Sequence, residues 1–441
     1  MTDQISQLLQ NVEIPPVHKI RQRFASLTLE QPESILRQQL ETQIPASRLA
    51  GQRIAITCGS RGIDLYLPIV RTLVAFLRDN GASPILIPAM GSHGGATAEG
   101  QRHVLAELGI TEETTGAPIC SSMDVREIGR TAKGLPVYID RLACEADGII
   151  LLNRIKPHTS FRGHYESGLL KMLAIGLAKQ AGAEMTHCLR YENMARNIVD
   201  VGTIALKHLN ILGAVGTLEN GYGHVASIHV LQADEVLARE PELLRRAWDL
   251  MPRIYLDEID VLIVGEIGKD ISGTGMDTNI VGRFHTQAAS GGPNTIKLGL
   301  LDLSARSGGN ANGMGMADFV TRRLYNRIDF TATYINTLTS TEPNSSRLPM
   351  VLADDRQVLQ ACCKLCGQLD PTRIRLAIIR NTKQLDEIWL SPAALQAAVA
   401  PDCLEVLSAS RPLAFDSDGN LTLFGRQGQP GETRATEGDQ A

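Results

Sequence analysis

The stretch 147-DGIILLNRI-155 limits the fold more than any other part of the chain. It is a nearly unbroken apolar run with no alternation of apolar and polar positions. That is the signature of a strand covered on both faces, and such strands belong to sheets with helices on either side. The neighbouring sequence supplies the helices. Arg53–Cys58 (RIAITC) reads as a strand, 67–78 as an amphipathic helix, 85–89 as a second strand, and a helix starts at Thr97. The segment 125–140 reads as a hairpin turning at Lys133-Gly134.

A second set of elements begins with 260-DVLIVGEIG-268 and 296-IKLGLLDLS-304. It continues with a helix near 316–326, a strand at 349–354, a helix over 355–369 and a strand at 374–380. The expected class is α/β, with two domains built on open, largely parallel sheets and an active-site cleft between them. Residues 1–255 form the expected catalytic and cofactor-anchoring domain, with 241–254 leading out of it, and 256–400 the second. Residues 401–424 are expected to pack back on the first domain, and the polar, Gly/Pro-rich 425–441 to be disordered.

Composition removes several classes of function. The 441 residues carry a net charge of −5, so no basic field points to nucleic acid. No run of about 18 apolar residues is present, and the first 16 residues lack the basic start and apolar core of a signal peptide. The expectation is a soluble, cytoplasmic protein without a membrane partner. Eight cysteines are too few for a disulfide scaffold. The cluster 362-CCKLC-366 lacks the spacing of a paired CxxC site and lies in a helical pattern, which reads as structural.

Chemistry gathers at predicted strand ends, where open α/β sheets bind ligands. In 89-AMGSHGGATAEG-100 a glycine-rich turn between strand and helix suggests phosphate, yet it carries His93. His158 follows the buried strand in 153-NRIKPHTSFRG-163, and Arg61 follows the first strand in 57-TCGSRGID-64. A loop histidine alone is ordinarily a surface or capping residue; two at strand ends suggest a pair facing a substrate. Arg61 offers a two-pronged contact to a carboxylate or phosphate, against a plain surface arginine. Lys171, set among Leu169, Leu170, Met172 and Leu173, is either desolvated and nucleophilic or snorkelling to solvent. His187 lies 16 residues on, and Gly176 and Gly182 argue against one unbroken helix between the two. With no HExxH and no CxxC pair, His187 as a metal ligand makes sense only if a cofactor supplies the other donors.

Taken together, GSHG at 91–94, PH at 157–158, Lys171 in GLLKMLAIG, MTH ending at His187 and 264-VGEIGKDISGTGMD-277 resemble the lactate racemase family. The resemblance runs from about Arg53 to Asp277. It implies a nickel-pincer nucleotide joined covalently to Lys171, with His187 as the single protein ligand to nickel. It implies His93 and His158 as general acid/base residues, Arg61 as the holder of the substrate carboxylate, and Lys269 as a cofactor contact, either at its phosphate or paired with Asp270. The implied reaction inverts the 2-carbon of a 2-hydroxy acid by hydride transfer through a 2-keto acid, with cofactor-biosynthesis enzymes as maturation partners. Both histidines would then have pKa values near neutral.

The departures point away from lactate. Where lactate-acting relatives carry GTHRP this chain has GSHGG, and in place of PKDINLYQ it has GKDISGTGMD. A different, larger 2-hydroxy acid is expected. Two other classes compete: a nucleotide-dependent oxidoreductase, for which a GxGxxG fingerprint is missing, and a non-catalytic binding protein that retains the fold.

Overall fold

The computed structural model describes residues 4–188 and 190–424; the tail 425–441, expected to be disordered, lies outside them. From the N-terminus the strands are β1 (His18–Gln22), β2 (Arg53–Cys58), β3 (Ser83–Pro88), β4 (Val125–Arg130), β5 (Pro136–Asp140), β6 (Gly148–Arg154), β7 (Ile211–Glu219) and β8 (Val225–Leu231). They continue with β9 (Glu258–Ile267), β10 (Asn294–Leu303), β11 (Phe319–Thr321), β12 (Met350–Leu352), β13 (Leu376–Ile379), β14 (Glu387–Leu390) and β15 (Leu404–Val406). No helix among the described residues is long and apolar enough to cross a membrane.

The first sheet has the order β3-β2-β6-β7-β8, parallel except for β8, which runs against β7. Successive residues of its strands enter opposite cores. Ile54, Ile56, Ile150 and Leu152 pack with the helix Tyr66–Asp79. Ala55, Ile149 and Leu151 pack with Leu169, Leu173 and Leu243 on the other face. Two-sided burial is why β6 is apolar throughout its first five residues. The hairpin β4–β5 forms as expected, with Gly134 at φ +82° in its turn.

The second sheet has the order β12-β11-β10-β9-β13-β14-β1-β15. Its first five strands are parallel and the last three pair antiparallel. Both sheets therefore contain a strand where the order reverses. In the first, the chain goes from β2 to β3 on one side and then to β6 on the other. In the second, it goes from β9 to β10 and later returns to β13 across β9. Crevices at the carboxyl ends of such strands are the usual ligand sites of open α/β sheets.

Three expectations need correction. Residues 316–326 are not one helix: Phe319–Thr321 is a buried strand between β10 and β12, and the helix is only Arg322–Asn326, capped by the Thr321 side chain. The N-terminal segment does not belong with the first sheet, because β1 inserts between β14 and β15. Nor does 401–424 pack back on the first domain. β15 pairs with β1, and Phe424 stacks edge-on against Trp389 at 5.3 Å, so β1 and the segment from β15 to Phe424 belong with the second sheet. Local patterns show that a strand forms but carry little information about which distant edge it joins. The cysteines of 362–366 are free and buried on or just after the helix Asp355–Leu365, in keeping with a structural role.

Leu151 is fully buried at the middle of β6. Leu151→Ala is expected to cost about 2–5 kcal/mol of stability by opening a cavity. The check is the urea midpoint, and an unchanged midpoint would contradict the two-sided packing of this strand.

Candidate functional site

Arg61 follows β2, His93 follows β3 and His158 follows β6, so all three stand at carboxyl ends in one sheet. Lys269 follows β9 and faces them from the second sheet: Arg61 Nη1 donates to the Lys269 carbonyl at 3.2 Å. The loops on either side are sewn together. Lys156 pairs with Asp277 (3.3 Å), the Thr278 hydroxyl donates to the Thr159 carbonyl (2.7 Å), and Thr286 donates to the Ser160 carbonyl (2.5 Å). Arg162 bonds the Asn279 side chain and the Ser290 carbonyl across the same seam.

Lys171 ends a single helical turn, Leu169–Lys171, which passes into a π-helical turn, Met172–Gly176. Such wide turns are frequent at functional sites. The helix Lys179–His187 then starts afresh after Lys179 at φ +55°. The expected break between Lys171 and His187 is therefore present. Gly176 is required where it lies, since a Cβ there would meet the Ala89 carbonyl at 2.7 Å. Its own carbonyl accepts from the Gly91 N–H at 3.1 Å, which ties the lysine segment to the His93 loop.

That loop is a tight glycine turn. Gly91, Gly94 and Gly95 have φ of +61°, +67° and +63°. A Cβ on Gly94 would lie 2.5 Å from the Gly100 backbone, so the turn is pressed against the start of the following helix. The Gly100 N–H is taken by the Thr97 hydroxyl at 3.0 Å. Thr97 thus caps the helix that follows the turn.

Electrostatics join these residues. His93 and Arg61 keep exposed surface, yet burial is the first cause that lowers both pKa values, as for side chains lining a narrow opening. The His93 imidazole is pushed down to about 3 by burial and by the charges of Arg61, Lys269 and Lys171. His158 is lowered by burial, Lys171, His187, His285 and Lys156. Both histidines therefore lie below the expected near-neutral values, first through burial and then through the cations around them. Burial, with Arg61 beside them, brings Lys171 and Lys269 down to about 7. Neither snorkelling for Lys171 nor an ion pair with Asp270 for Lys269 describes what is seen. Lys171 Nζ stands 5.9 Å from the Phe161 ring, and Lys269 Nζ donates to the Gly273 carbonyl (2.6 Å) and the Asn336 side chain (2.7 Å).

Ring hydrogen bonds assign tautomers. His187 Nδ1 lies 2.6 Å from the Ala183 carbonyl, so it carries the proton and Nε2 presents a lone pair. His158 Nδ1 accepts from the Ser160 N–H at 3.0 Å, which puts the proton of its neutral ring on Nε2. No group of three or more His, Cys, Asp or Glu among the described residues could hold a metal. A metal bound through His187 would take its remaining donors from an organic group, and the bare Nε2 beside a low-pKa lysine fits that requirement.

Two buried networks support the site and have no signature in the sequence. Glu240 accepts the Leu170 N–H at 2.9 Å, capping the turn that carries Lys171. A Cβ on Gly168 would come within 1.9 Å of its Oε1. Lys179, wholly buried, pairs with Asp140 (2.9 Å) and donates to the Pro88 carbonyl (2.5 Å) and to Gln101 (3.0 Å). Gln101 in turn donates to the carbonyls of Gly91 (2.8 Å) and His93 (3.3 Å). Each network depends on pairings 70 to 91 positions apart, which no local pattern announces. His285 and Tyr191 also join the site, with rings 6.2 Å apart and edge-on.

Residues 30–198 match the family described as lactate racemase N-terminal domain. A Thermotoga maritima protein aligns over 78% of this chain and 93% of its own, at 13% identity and a TM-score of 0.48. The lactate racemase apoprotein from Thermoanaerobacterium thermosaccharolyticum aligns over 83% and 89%, at 14% identity and a TM-score of 0.43. No curated protein matches by sequence.

With its pKa at about 7, the Lys171 amine is charged below neutral pH and free above it. Trace acetylation of the apoprotein, followed by peptide mass spectrometry across pH 5–11, is expected to show Lys171 labelling rise around pH 7. A rise only near pH 10, as for an ordinary lysine, would contradict its desolvation. Gly168→Ala is expected to displace Glu240 and lower thermal stability; an unchanged Tm would refute the tight contact.

Proposed function

We propose that this chain is a racemase or epimerase of a 2-hydroxy acid other than lactate, working with a nickel-pincer nucleotide joined to Lys171. The observation that carries the reading is the placement of His93 and His158 at two strand ends around a low-pKa lysine, with the bare Nε2 of His187 available to one metal ion. When bound, the group supplies the hydride acceptor and donor that lets Cα pass through a planar 2-keto acid. Lys171 would hold it covalently and His187 would complete the metal's ligands. Lys269 stands ready for an anionic part of it or of the substrate.

The remaining chemistry belongs to the chain. Arg61 has no carboxylate partner among the described residues and would hold the substrate carboxylate in two-pronged fashion. His93, neutral and unprotonated, would take the hydroxyl proton. His158 would donate its Nε2–H to the same oxygen, so one histidine accepts while the other donates. Serving the opposite enantiomer exchanges the roles, and His158 must then give up the bond from Ser160 to accept a proton at Nε2. Substrate charge would offset Arg61 and Lys269, raising both histidines toward neutrality and improving them as bases. The seam sewn by Arg162, Thr278 and Thr286 would exclude water during transfer. The eight cysteines are free, as suits a reducing cytoplasm, where cofactor-building enzymes would mature the protein.

Expression in a host that makes the nucleotide tests this. Intact-mass measurement should show an adduct that Lys171→Ala abolishes, and nickel content should fall in His187→Ala. An unmodified mass from such a host would defeat the cofactor assignment. Holo His93→Ala and His158→Ala should each lose about 10²–10⁴-fold in racemisation while remaining folded. Retained turnover in either would remove that histidine from the chemistry.

A further inference from the structure

His285 is a histidine that the family motifs do not include, yet the fold brings it to the site. It is 6% exposed, and its Nδ1 is buried with no hydrogen-bond partner. Its backbone is fixed: the Asn344 side chain donates to its carbonyl at 3.2 Å, and neighbouring Thr286 is tied to the Ser160 carbonyl. The ring meets Tyr191 edge-on, and Tyr191 meets His187 in the same way at 6.1 Å. Its charge acts on His158 in one sheet, and the charge of Lys269 in the other acts on it. The ring is thus one aromatic contact from Tyr191 and two from His187.

A buried polar nitrogen left without a partner is rare in a folded protein and marks a missing one. No side chain of the described residues supplies that partner. Ser160 is engaged with Tyr191, and Thr286 with the Ser160 carbonyl. Neutral imidazole has one donor and one acceptor nitrogen, and its natural complement is a hydroxyl, which both donates and accepts. An apolar substituent placed here would leave Nδ1 unsatisfied, so the site would reject it.

Resting on the 2-hydroxy-acid reading above, we propose that His285 determines substrate specificity by hydrogen-bonding a hydroxyl group that the substrate carries beyond its reacting carbon. The substrate class is then a polyhydroxy acid, not a 2-hydroxy acid with an apolar chain.

Glycerate and lactate test this cleanly, since they differ by one hydroxyl at the carbon next to C2. The ratio of kcat/KM for glycerate over lactate is measured for holo wild type, His285→Phe and His285→Asn. The ratio should favour glycerate in wild type, fall at least tenfold in His285→Phe, and largely recover in His285→Asn, whose amide can replace Nδ1. Equal losses on both substrates in His285→Phe would mean a structural role and overturn the proposal. An unchanged ratio would mean that Nδ1 meets only a buried water, and would overturn it too. Calorimetric binding of the two acids to the same proteins separates the two readings. Selective binding that His285→Phe removes, without turnover, would sink the racemase reading and keep the role of His285. Racemisation without selectivity would do the reverse, and neither binding nor turnover would count against both.

Discussion

Unpaired positive charge in a desolvated seam is the constraint on which the rest of this structure depends. Arg61, Lys171 and Lys269 converge there, and none forms an ion pair among the described residues. Burying a cation without a counter-charge is costly. The protein lowers that cost by bringing both lysines down to about 7 through burial. Arg61 stays charged, because no environment here deprotonates a guanidinium. A site with one fixed positive charge and two lysines poised between states is prepared for anions. The same charges that depress His93 and His158 would be offset by the ligand they attract, so basicity would arrive with the substrate.

The two sheets divide this work. The first brings Arg61, His93 and His158 to neighbouring strand ends, because β2 lies between β3 and β6. The second contributes the loop after β9, whose glycines let it lie against Arg61. A Cβ on Gly273 would come within 2.8 Å of the Arg61 guanidinium. Each loop leaves a strand at a reversal of sheet order, so the crevice of one sheet opens onto the crevice of the other. Neither half holds a complete set of groups.

Much of the first half was legible in the sequence. β2 and β6, the helix after β2 and the strand-end positions of Arg61, His93 and His158 follow from short periodic segments and hold in the structure. The break between Lys171 and His187 was also foreseeable from Gly176, though the π-helical turn was not. What escaped was whatever depends on distant pairing. β1 and β15 sit beside each other although 382 positions separate Gln22 from Leu404. His285 reads in sequence as one loop histidine among ten, and only the docking of its loop on Ser160 makes it part of the site. The histidine pKa values were misjudged for a related reason. Spacing along the chain identifies a base but not the cations that fold around it.

The support beneath the site explains why its loops need not be flexible to be functional. Lys179 and Asp140 form an ion pair with no solvent exposure on either side chain, an arrangement that would gain little stability over apolar packing. Its value lies in geometry. The ammonium also holds the Pro88 carbonyl at the end of β3 and the Gln101 side chain, which grips the two carbonyls bracketing Ser92. Glu240 does the same for the turn before Lys171. The glycine turn gives His93 a backbone path that no other residue type would follow, and the buried network removes the freedom those glycines would otherwise leave. Conformational permissiveness in the loop and rigidity beneath it are therefore complementary, and together they fix where the His93 imidazole stands.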